Sequence, residues 1–107
     1  MKVYIVQECV PYEGCSTYKA FLSREKAQTM VDEENRKFSA HRKKVEAWRQ
    51  AESEFYRSQD KSTLEMFTSE LVELSNQFNA KNPFPVPEED YINSCELLSV
   101  GELEVEE

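Results

Sequence analysis

The side chains that could perform catalysis or bind a metal are few in this chain and are not grouped. His41 is the single histidine, and Cys9, Cys15 and Cys95 lack the close pairing that metal sites use. Nucleophilic catalysis needs a thiol or hydroxyl beside a base, whereas His41 lies on a predicted helix and fits a helix interface. Two glycines are too few for a glycine-rich phosphate loop. The sequence therefore predicts a protein that is not an enzyme.

Carboxylates are abundant, but their positions are typical of solvated surfaces. Acid–base catalysis needs two carboxylates in an enclosed pocket with separated pKa values, and the sequence indicates no such pocket. The acidic run at residues 32–34 fits a solvated helix face. The run Glu88, Glu89 and Asp90 follows a proline-rich segment, so a loop and a surface for divalent ions both stay open as interpretations.

Basic side chains crowd the segment at residues 36–49, which holds six Lys and Arg residues. A helix places much of this charge on one side, where it could follow the phosphates of a nucleic acid. The other interpretation is a solvated face that pairs with acids of a neighbouring helix. Candidate partner-binding residues come from this segment, from the aromatics beside it and from the acidic loop. They are Arg42, Lys43, Trp48, Arg49, Phe55, Tyr56, Glu88, Glu89 and Asp90.

Trp48 and the two aromatic residues that follow it have two interpretations as well. Exposed aromatics mark contact sites between proteins. On a helical hairpin, the same side chains would instead pack on the apolar stripe of the next helix, at Leu64, Phe67 and Leu71.

The elements that position these residues follow the order strand, strand, long helix, helix, strand. This order predicts an α+β fold with a three-stranded antiparallel sheet, packed by the first half of the long helix, and a projecting helical hairpin. We expect a single domain at residues 1–107. Its predicted parts are a β-hairpin at 2–22, a long helix at 24–59, a second helix at 63–79, a proline-rich crossover at 82–90, a last strand at 91–100 and an acidic tail at 101–107.

Local signals support these boundaries. Residues 2–10 carry apolar side chains on both phases, which is typical of a strand that is central or covered on both faces. Ser23 is a favourable N-cap, and residues 62–65 match a capping box. Gly101 is expected to end the last strand. The odd number of cysteines argues against a disulfide framework and for a reducing compartment, although Cys9 and Cys15 flank a predicted turn and could approach each other.

The net charge of −8 belongs to one end of the chain. Residues 1–87 hold 13 basic and 13 acidic residues, and residues 88–107 hold eight acids and no base. Such an end repels nucleic acid and could attract a basic surface, or it could serve only as a solvated tail. We predict neither a membrane span nor a signal peptide, and expect a cytoplasmic location.

Three short segments resemble a group of small uncharacterised domains of bacteria and their phages. These segments are residues 2–6, residues 12–14 and residues 21–27, the last with a Phe-x-Ser-x-Glu-Lys-Ala pattern at a helix start. The resemblance covers about the first 35 residues and extends to residues 91–98. It implies a core of a β-hairpin, a helix and a late strand, and an origin in a phage or mobile element.

Together these features predict a phage-encoded, non-enzymatic protein that binds and modulates a host protein. The alternative function is that of a nucleic-acid accessory protein that uses the basic segment at residues 36–49, which the overall acidity disfavours. We also expect a homodimer, because the two helices carry more apolar surface than a two-helix hairpin needs.

The absence of grouped ligands leads to the first testable prediction, which is that the purified protein holds no tightly bound metal or organic cofactor. Elemental analysis and native mass spectrometry should find the mass of the polypeptide alone. A metal that stays bound at one equivalent after treatment with a chelator would contradict this.

Overall fold

The chain folds in the predicted order, β-β-α-α-β, and its class is α+β. The computed structural model describes residues 1–60 and 62–106, so that Glu107 of the predicted acidic tail lies outside it. The elements are β1 (Lys2–Val10), β2 (Gly14–Phe21), α1 (Arg24–Arg57), a 3-10 turn (Thr63–Glu65), α2 (Thr68–Lys81) and β3 (Leu98–Glu104).

The three strands form an antiparallel sheet in the order β2-β1-β3. β1 is central, as its apolar residues on both phases predict. Val6 lies opposite Lys19 on one side and Val100 on the other. The register between β1 and β2 shifts after Val6, where Gln7 pairs with Thr17, and this leaves Tyr18 as an extra residue of β2.

The chain contains two compact units, and the single domain at residues 1–107 stays a prediction. Unit 1 comprises Met1–Ala40 and Glu88–Glu107, and unit 2 comprises His41–Pro87. Unit 1 holds the sheet and the first half of α1. Its core consists of buried side chains from one face of the sheet and from the helix, at Val6, Ala27, Val31 and Leu98, with Tyr4, Phe21, Met30 and Val100 packed against them.

The start of α1 follows from local chemistry. Ser23 caps the helix as predicted, because its hydroxyl accepts a hydrogen bond from the backbone N–H of Lys26 at 3.4 Å. Ala27, Met30 and Val31 then follow at spacings of three and four residues, which places them on one face of the helix, against the sheet.

The start of the second helix differs from the prediction. Ser62 does not begin an α-helix; its hydroxyl accepts a hydrogen bond from Leu64 N at 3.3 Å within a single 3-10 turn. α2 begins at Thr68 without a side-chain cap. It continues past the predicted end at residue 79 to Lys81, because the N–H of Asn82 still reaches Phe78 O at 2.8 Å before the prolines begin.

The last strand also differs, since it spans Leu98–Glu104 instead of residues 91–100. Gly101 lies inside the strand, opposite Ile5, and does not end it. A side chain at this position would meet Gln7 Nε2 at 2.8 Å and Ile5 Cγ1 at 3.0 Å, so only glycine fits without a shift of its neighbours. Most of the predicted acidic tail is therefore ordered strand.

The cysteine count argued against a disulfide framework, but the sequence left an approach of Cys9 to Cys15 open, and this pair is bridged. Cys9 and Cys15 lie opposite each other at the end of the β1–β2 hairpin and form a disulfide, with their Cα atoms 4.0 Å apart. Cys95 is free and exposed. The cysteine count therefore no longer supports a reducing compartment, and the cytoplasmic location stays a prediction.

The disulfide gives the second testable prediction. Before reduction, iodoacetamide under denaturing conditions should modify one cysteine, and after reduction three, as read by intact mass. Cys9→Ser should lower the free energy of unfolding by about 2 kcal/mol, because the bridge closes a loop of about seven residues. Cys95→Ser is the matched control and should leave the stability nearly unchanged. Modification of all three cysteines without reductant would contradict the bridge.

Candidate functional site

The two faces of the sheet in unit 1 differ in charge. Residues that lie directly across from each other in β1 and β3 have their side chains on the same face of the sheet. Tyr4 lies opposite Glu102, and Lys2 opposite Glu104, on the face that carries the helix-packed core. Lys2 Nζ approaches Glu102 to 3.8 Å. Leu103 belongs to the other face. The acids of β3 therefore form a fixed row along one side of the sheet, which we call the acidic row (Glu102 and Glu104).

The net charge of the chain resides entirely in unit 1. That unit holds six basic and 14 acidic residues, whereas unit 2 holds seven of each and is formally neutral. Acidity is therefore a property of the sheet unit, and the helical unit contributes none of it.

A buried carboxylate organises the loop that leads into β3. Glu8 is 2% exposed, and its carboxylate accepts hydrogen bonds from three consecutive backbone N–H groups, those of Ser94, Cys95 and Glu96, at 3.1, 2.8 and 2.6 Å. The hydroxyls of Ser94 and Tyr18 also donate to it, each at 2.7 Å. Successive N–H groups that converge on one anion form a backbone nest, and here the anion belongs to the protein itself.

These donors determine the charge state of Glu8. Burial raises the pKa of the Glu8 carboxyl, but the hydrogen bonds from the loop and from Tyr18 outweigh it and lower the pKa to about 2. The same contact raises the pKa of the Tyr18 phenol, because its hydrogen bond to Glu8 favours the protonated form. Glu8 is therefore charged throughout the physiological range, and its charge is structural.

Asn35 on α1 fixes the start of β3 from the other side. Its amide donates to Leu98 O at 3.0 Å and accepts from Leu98 N at 2.8 Å, as a neighbouring strand would. The buried Asn93 donates to Asn35 Oδ1 at 3.0 Å and to Glu96 O at 2.9 Å. The loop before β3 is thus tied to both the sheet and the helix of unit 1.

The predicted acidic candidates Glu88, Glu89 and Asp90 are exposed in unit 1. Glu89 pairs with Arg36 at 3.0 Å, and Arg36 also pairs with Glu33 at 2.7 Å. These two carboxylates raise the pKa of the Arg36 guanidinium above its usual range.

The other six candidates lie in unit 2. Arg42, Lys43 and Arg49 are exposed, and Arg42 Nε lies 3.9 Å from Glu46 in a pair one helical turn apart. Lys37, at the start of the basic segment but in unit 1, pairs with Glu34 at 3.6 Å. Acidic residues near in sequence thus neutralise part of the positive charge of the basic segment. This agrees with the interpretation of a salt-bridged face.

The aromatic candidates form the packing of the helical unit, which we call the aromatic cluster (Trp48, Phe55, Tyr56, Phe78 and Phe84). Trp48 lies edge-on to Phe78 at 5.4 Å and to Phe84 at 5.0 Å between ring centroids, and Phe55 contacts Phe78 and Tyr56. Trp48 Nε1 donates to Asn82 O at 2.7 Å. Packing is therefore the better interpretation of Trp48.

The packing partners that we predicted for Trp48 need correction. Leu64 is 96% exposed and Phe67 is 74% exposed, because the chain around them forms a short turn and not the first turn of α2. The ring contacts of Trp48 come from Phe78 at the other end of α2 and from Phe84 in the proline-rich segment.

Sequence reasoning missed Glu8, Asn35, Asn93 and Ser94. One signal could have identified Glu8, which occupies the same strand phase as Tyr4 and Val6 and so belongs to the buried face. Within the described residues, no group of three or more His, Cys, Asp or Glu side chains could hold a metal ion. None of the helices described is long and apolar enough to span a membrane.

Comparison with known proteins adds a family but no activity. A family model described as a domain of unknown function (DUF7336) matches residues 1–55. No curated protein and no solved structure matches the chain. The matched residues cover β1, β2 and nearly all of α1, which agrees with the expected resemblance of the N-terminal part to an uncharacterised domain.

The carboxylate of Glu8 gives the third testable prediction. Because its pKa is lowered from 4.5 to about 2, its contribution to stability is fully present above pH 4.5 and is lost as the pH falls from 4.5 towards 2. This contribution amounts to about 3 kcal/mol. Glu8→Gln should therefore lower the free energy of unfolding near pH 7 by about that amount, and should flatten its dependence on pH between 4.5 and 2.

Urea unfolding of the wild type and the variant between pH 2 and 7, followed by circular dichroism, measures both effects. Glu13→Gln, at an exposed position in the hairpin turn, is the matched control and should behave as the wild type. Equal pH profiles for Glu8→Gln and the wild type would show that this carboxylate is not held as described.

Proposed function

The chain belongs to the DUF7336 family of domains of unknown function, and on that premise we propose that it is a non-enzymatic protein, encoded by a phage, that binds a basic surface of a host protein in the cytoplasm and modulates that protein. The observation that carries this proposal is the acidic row, Glu102 and Glu104, fixed in β3 on a unit whose net charge is −8. The phage origin rests on the resemblance of the N-terminal segments alone.

Order in the acidic row favours binding. Carboxylates on a flexible tail lose conformational freedom when they bind, and this loss weakens the association. In β3 folding has already ordered the backbone of Glu102 and Glu104, because both belong to a paired strand, so only their side chains lose freedom on binding. Carboxylates at alternate positions of a strand are about 7 Å apart. Lys2 lies 3.8 Å from Glu102 and the N-terminal ammonium lies 3.2 Å from Glu104, so a basic partner would bind this row by replacing two exposed cations.

The alternative function, nucleic-acid binding through residues 36–49, has less support. Arg36 and Lys37 pair with Glu33, Glu34 and Glu89. The helical unit, which carries the rest of the basic segment, has no net positive charge. Binding to the phosphate backbone needs a surplus of positive charge over several phosphates.

The fourth testable prediction compares two double variants, Glu102→Gln with Glu104→Gln, and Glu52→Gln with Glu54→Gln on α1 in unit 2. Each pair removes two negative charges, so both proteins have the same net charge. We expect the β3 variant to bind a partner captured from a bacterial lysate about tenfold more weakly, at roughly 0.7 kcal/mol per exposed charge. The α1 variant should bind it as the wild type does.

The measurement is a titration of the captured partner at two salt concentrations, since an electrostatic association must weaken as salt rises. DNA is tested in parallel by fluorescence anisotropy with duplex and single-stranded oligonucleotides. Tight DNA binding that is abolished by charge reversal of Lys43, Lys44 and Arg49 would overturn the proposal and support the alternative. Equal loss of partner binding in both double variants would show that net charge, and not the acidic row, is recognised.

A further inference from the structure

β3 is an edge of the sheet, and its two ends show which of its backbone groups point away from β1. At one end, the N–H and the C=O of Leu98 bond to the side chain of Asn35 on α1. At the other end, the N–H and the C=O of Val105 bond to Met1, the residue before β1. Successive residues of a strand direct these groups to its two sides in turn. Leu98 and Val105 are an odd number of positions apart, so the two ends agree.

The N–H and C=O groups of Val100, Glu102 and Glu104 therefore point outwards, away from β1. The pairing of β3 with β1 keeps one register from Leu98 to Glu104, so the alternation is unbroken. Within the described part of the chain, the sheet ends at β3 and no strand bonds to these outward groups. The side chains of Glu102 and Glu104 are 46% and 66% exposed. The acidic row thus lies along an unpaired stretch of backbone.

The other edge of the sheet is less suited to pairing. β2 contains Tyr18 as an extra residue where its register with β1 shifts, and a bulge of this kind disrupts the alternation of backbone groups along an edge. β2 also carries Lys19, which would repel a basic partner. β3 has no register shift and no basic residue.

We propose that the outer edge of β3 binds an extended segment of the basic partner, which joins the sheet as an antiparallel strand. This inference rests on the proposed function, because it specifies how the acidic row holds that partner. In such an addition, main-chain hydrogen bonds provide affinity and alternate side chains provide specificity. Residues directly opposite Glu102 and Glu104 would lie on the same face as the two carboxylates, with Cβ atoms about 5 Å apart, where opposite charges stabilise a strand pair.

Charge selects a basic segment and rejects a second copy of β3. In the register that pairs all three outward residues of two copies, Glu102 would lie opposite Glu102, and like charges directly opposite each other destabilise a strand pair. The cations already at the row belong to Lys2 and to the amino group of Met1, on the β1 side. Both ion pairs are exposed, and exposed pairs contribute little. Lysines that arrive from the outer side can therefore replace them.

The surroundings of the acidic row define the pattern of the added segment. Asn35 already occupies the outward position before Val100, so the segment ends opposite Val100. Val100 packs against the core and favours an apolar residue opposite it. The two acids of the row favour a lysine or arginine opposite each. An antiparallel segment with the sequence Lys-Thr-Lys-Thr-Val satisfies all three positions.

Acids on an edge strand have a second explanation, because natural proteins place charges there to prevent pairing with other chains. Under that explanation no strand adds to β3, and a basic partner would contact the carboxylates through its side chains alone. The two explanations differ in whether the outward backbone groups of β3 take part. A test must therefore change backbone hydrogen bonds at constant charge.

The fifth testable prediction uses three capped peptides of the sequence Lys-Thr-Lys-Thr-Val, titrated into the wild-type protein and followed by amide NMR shifts. One is unmodified. One is N-methylated at both lysines, whose N–H groups would donate to Glu102 and Glu104. The third is N-methylated at both threonines, whose N–H groups would point to solvent, and is the matched control. The lysine-methylated peptide should bind at least about tenfold more weakly than the unmodified one, because two hydrogen bonds are lost. The threonine-methylated peptide should bind as the unmodified one does.

Amide hydrogen exchange locates the added strand. The outward N–H groups of Glu102 and Glu104 should exchange rapidly in the free protein and slowly in the complex with the unmodified peptide. The N–H groups of Gly101 and Leu103, which face β1, should exchange slowly in both states.

Two variants at one position make the same comparison from the side of the protein. Glu102→Gln removes a charge and should weaken the binding of the unmodified peptide about threefold. Glu102→Pro removes the same charge together with the outward N–H, and should weaken it about fivefold more. Proline is tolerated on an edge strand where the missing N–H faces solvent. Circular dichroism verifies the fold, and the peptide series in the wild type decides the question if Glu102→Pro does not fold.

Equal affinities of the three peptides would overturn the inference and leave the proposed function intact, since charge alone would then be recognised. No binding of the unmodified peptide at millimolar concentration would overturn it as well, and would support the protective role of the acids. The proposed function fails separately, if the β3 double variant of the fourth prediction binds the captured partner as the wild type does.

Discussion

The buried charge of Glu8 is the interaction on which the organisation of unit 1 depends. A carboxylate without partners in the core would cost several kcal/mol, and this one is stabilised by three backbone N–H groups and two hydroxyls. Four of these five donors belong to residues 94–96, which lie 86 or more positions away along the chain. One charge therefore brings the C-terminal segment to the central strand.

The position of Glu8 also fixes the register of β3. Glu8 lies directly opposite Leu98, the first residue of that strand, and Asn35 binds the backbone of Leu98 from α1. A slip of one residue would exchange the two faces of a strand. Here it would move Leu103 to the helix side and bring Glu102 to the opposite face of the sheet. The face that carries the acidic row thus depends on a contact at the other end of the strand.

The sequence contained enough information to predict the fold class, because the strand and helix patterns of the first half are local. The two apolar phases of β1 and the cap at Ser23 depend on neighbouring residues alone. The second half was harder to predict. The capping box at residues 62–65 predicted the start of a helix, but it closes only a single 3-10 turn. A local motif does not reveal whether the chain after it continues as a helix. The predicted position of β3 was wrong because the start of this strand is fixed by contacts with Glu8 and Asn35, which are distant in sequence.

The candidate site shows the same distinction. Trp48 and Phe55 were identified as important from the sequence, but their partners Phe78 and Phe84 depend on how the chain returns. The acidic end was recognised as a charge and not as a strand, although the alternation of Glu102 and Glu104 with Leu103 has the period of two that a strand requires. Composition gives the sign and the amount of charge, whereas pairing determines the face that carries it. The same alternation places Glu102 and Glu104 on one face of the strand and Leu103 on the other, so the proposed contact with a basic protein uses one side of β3 alone.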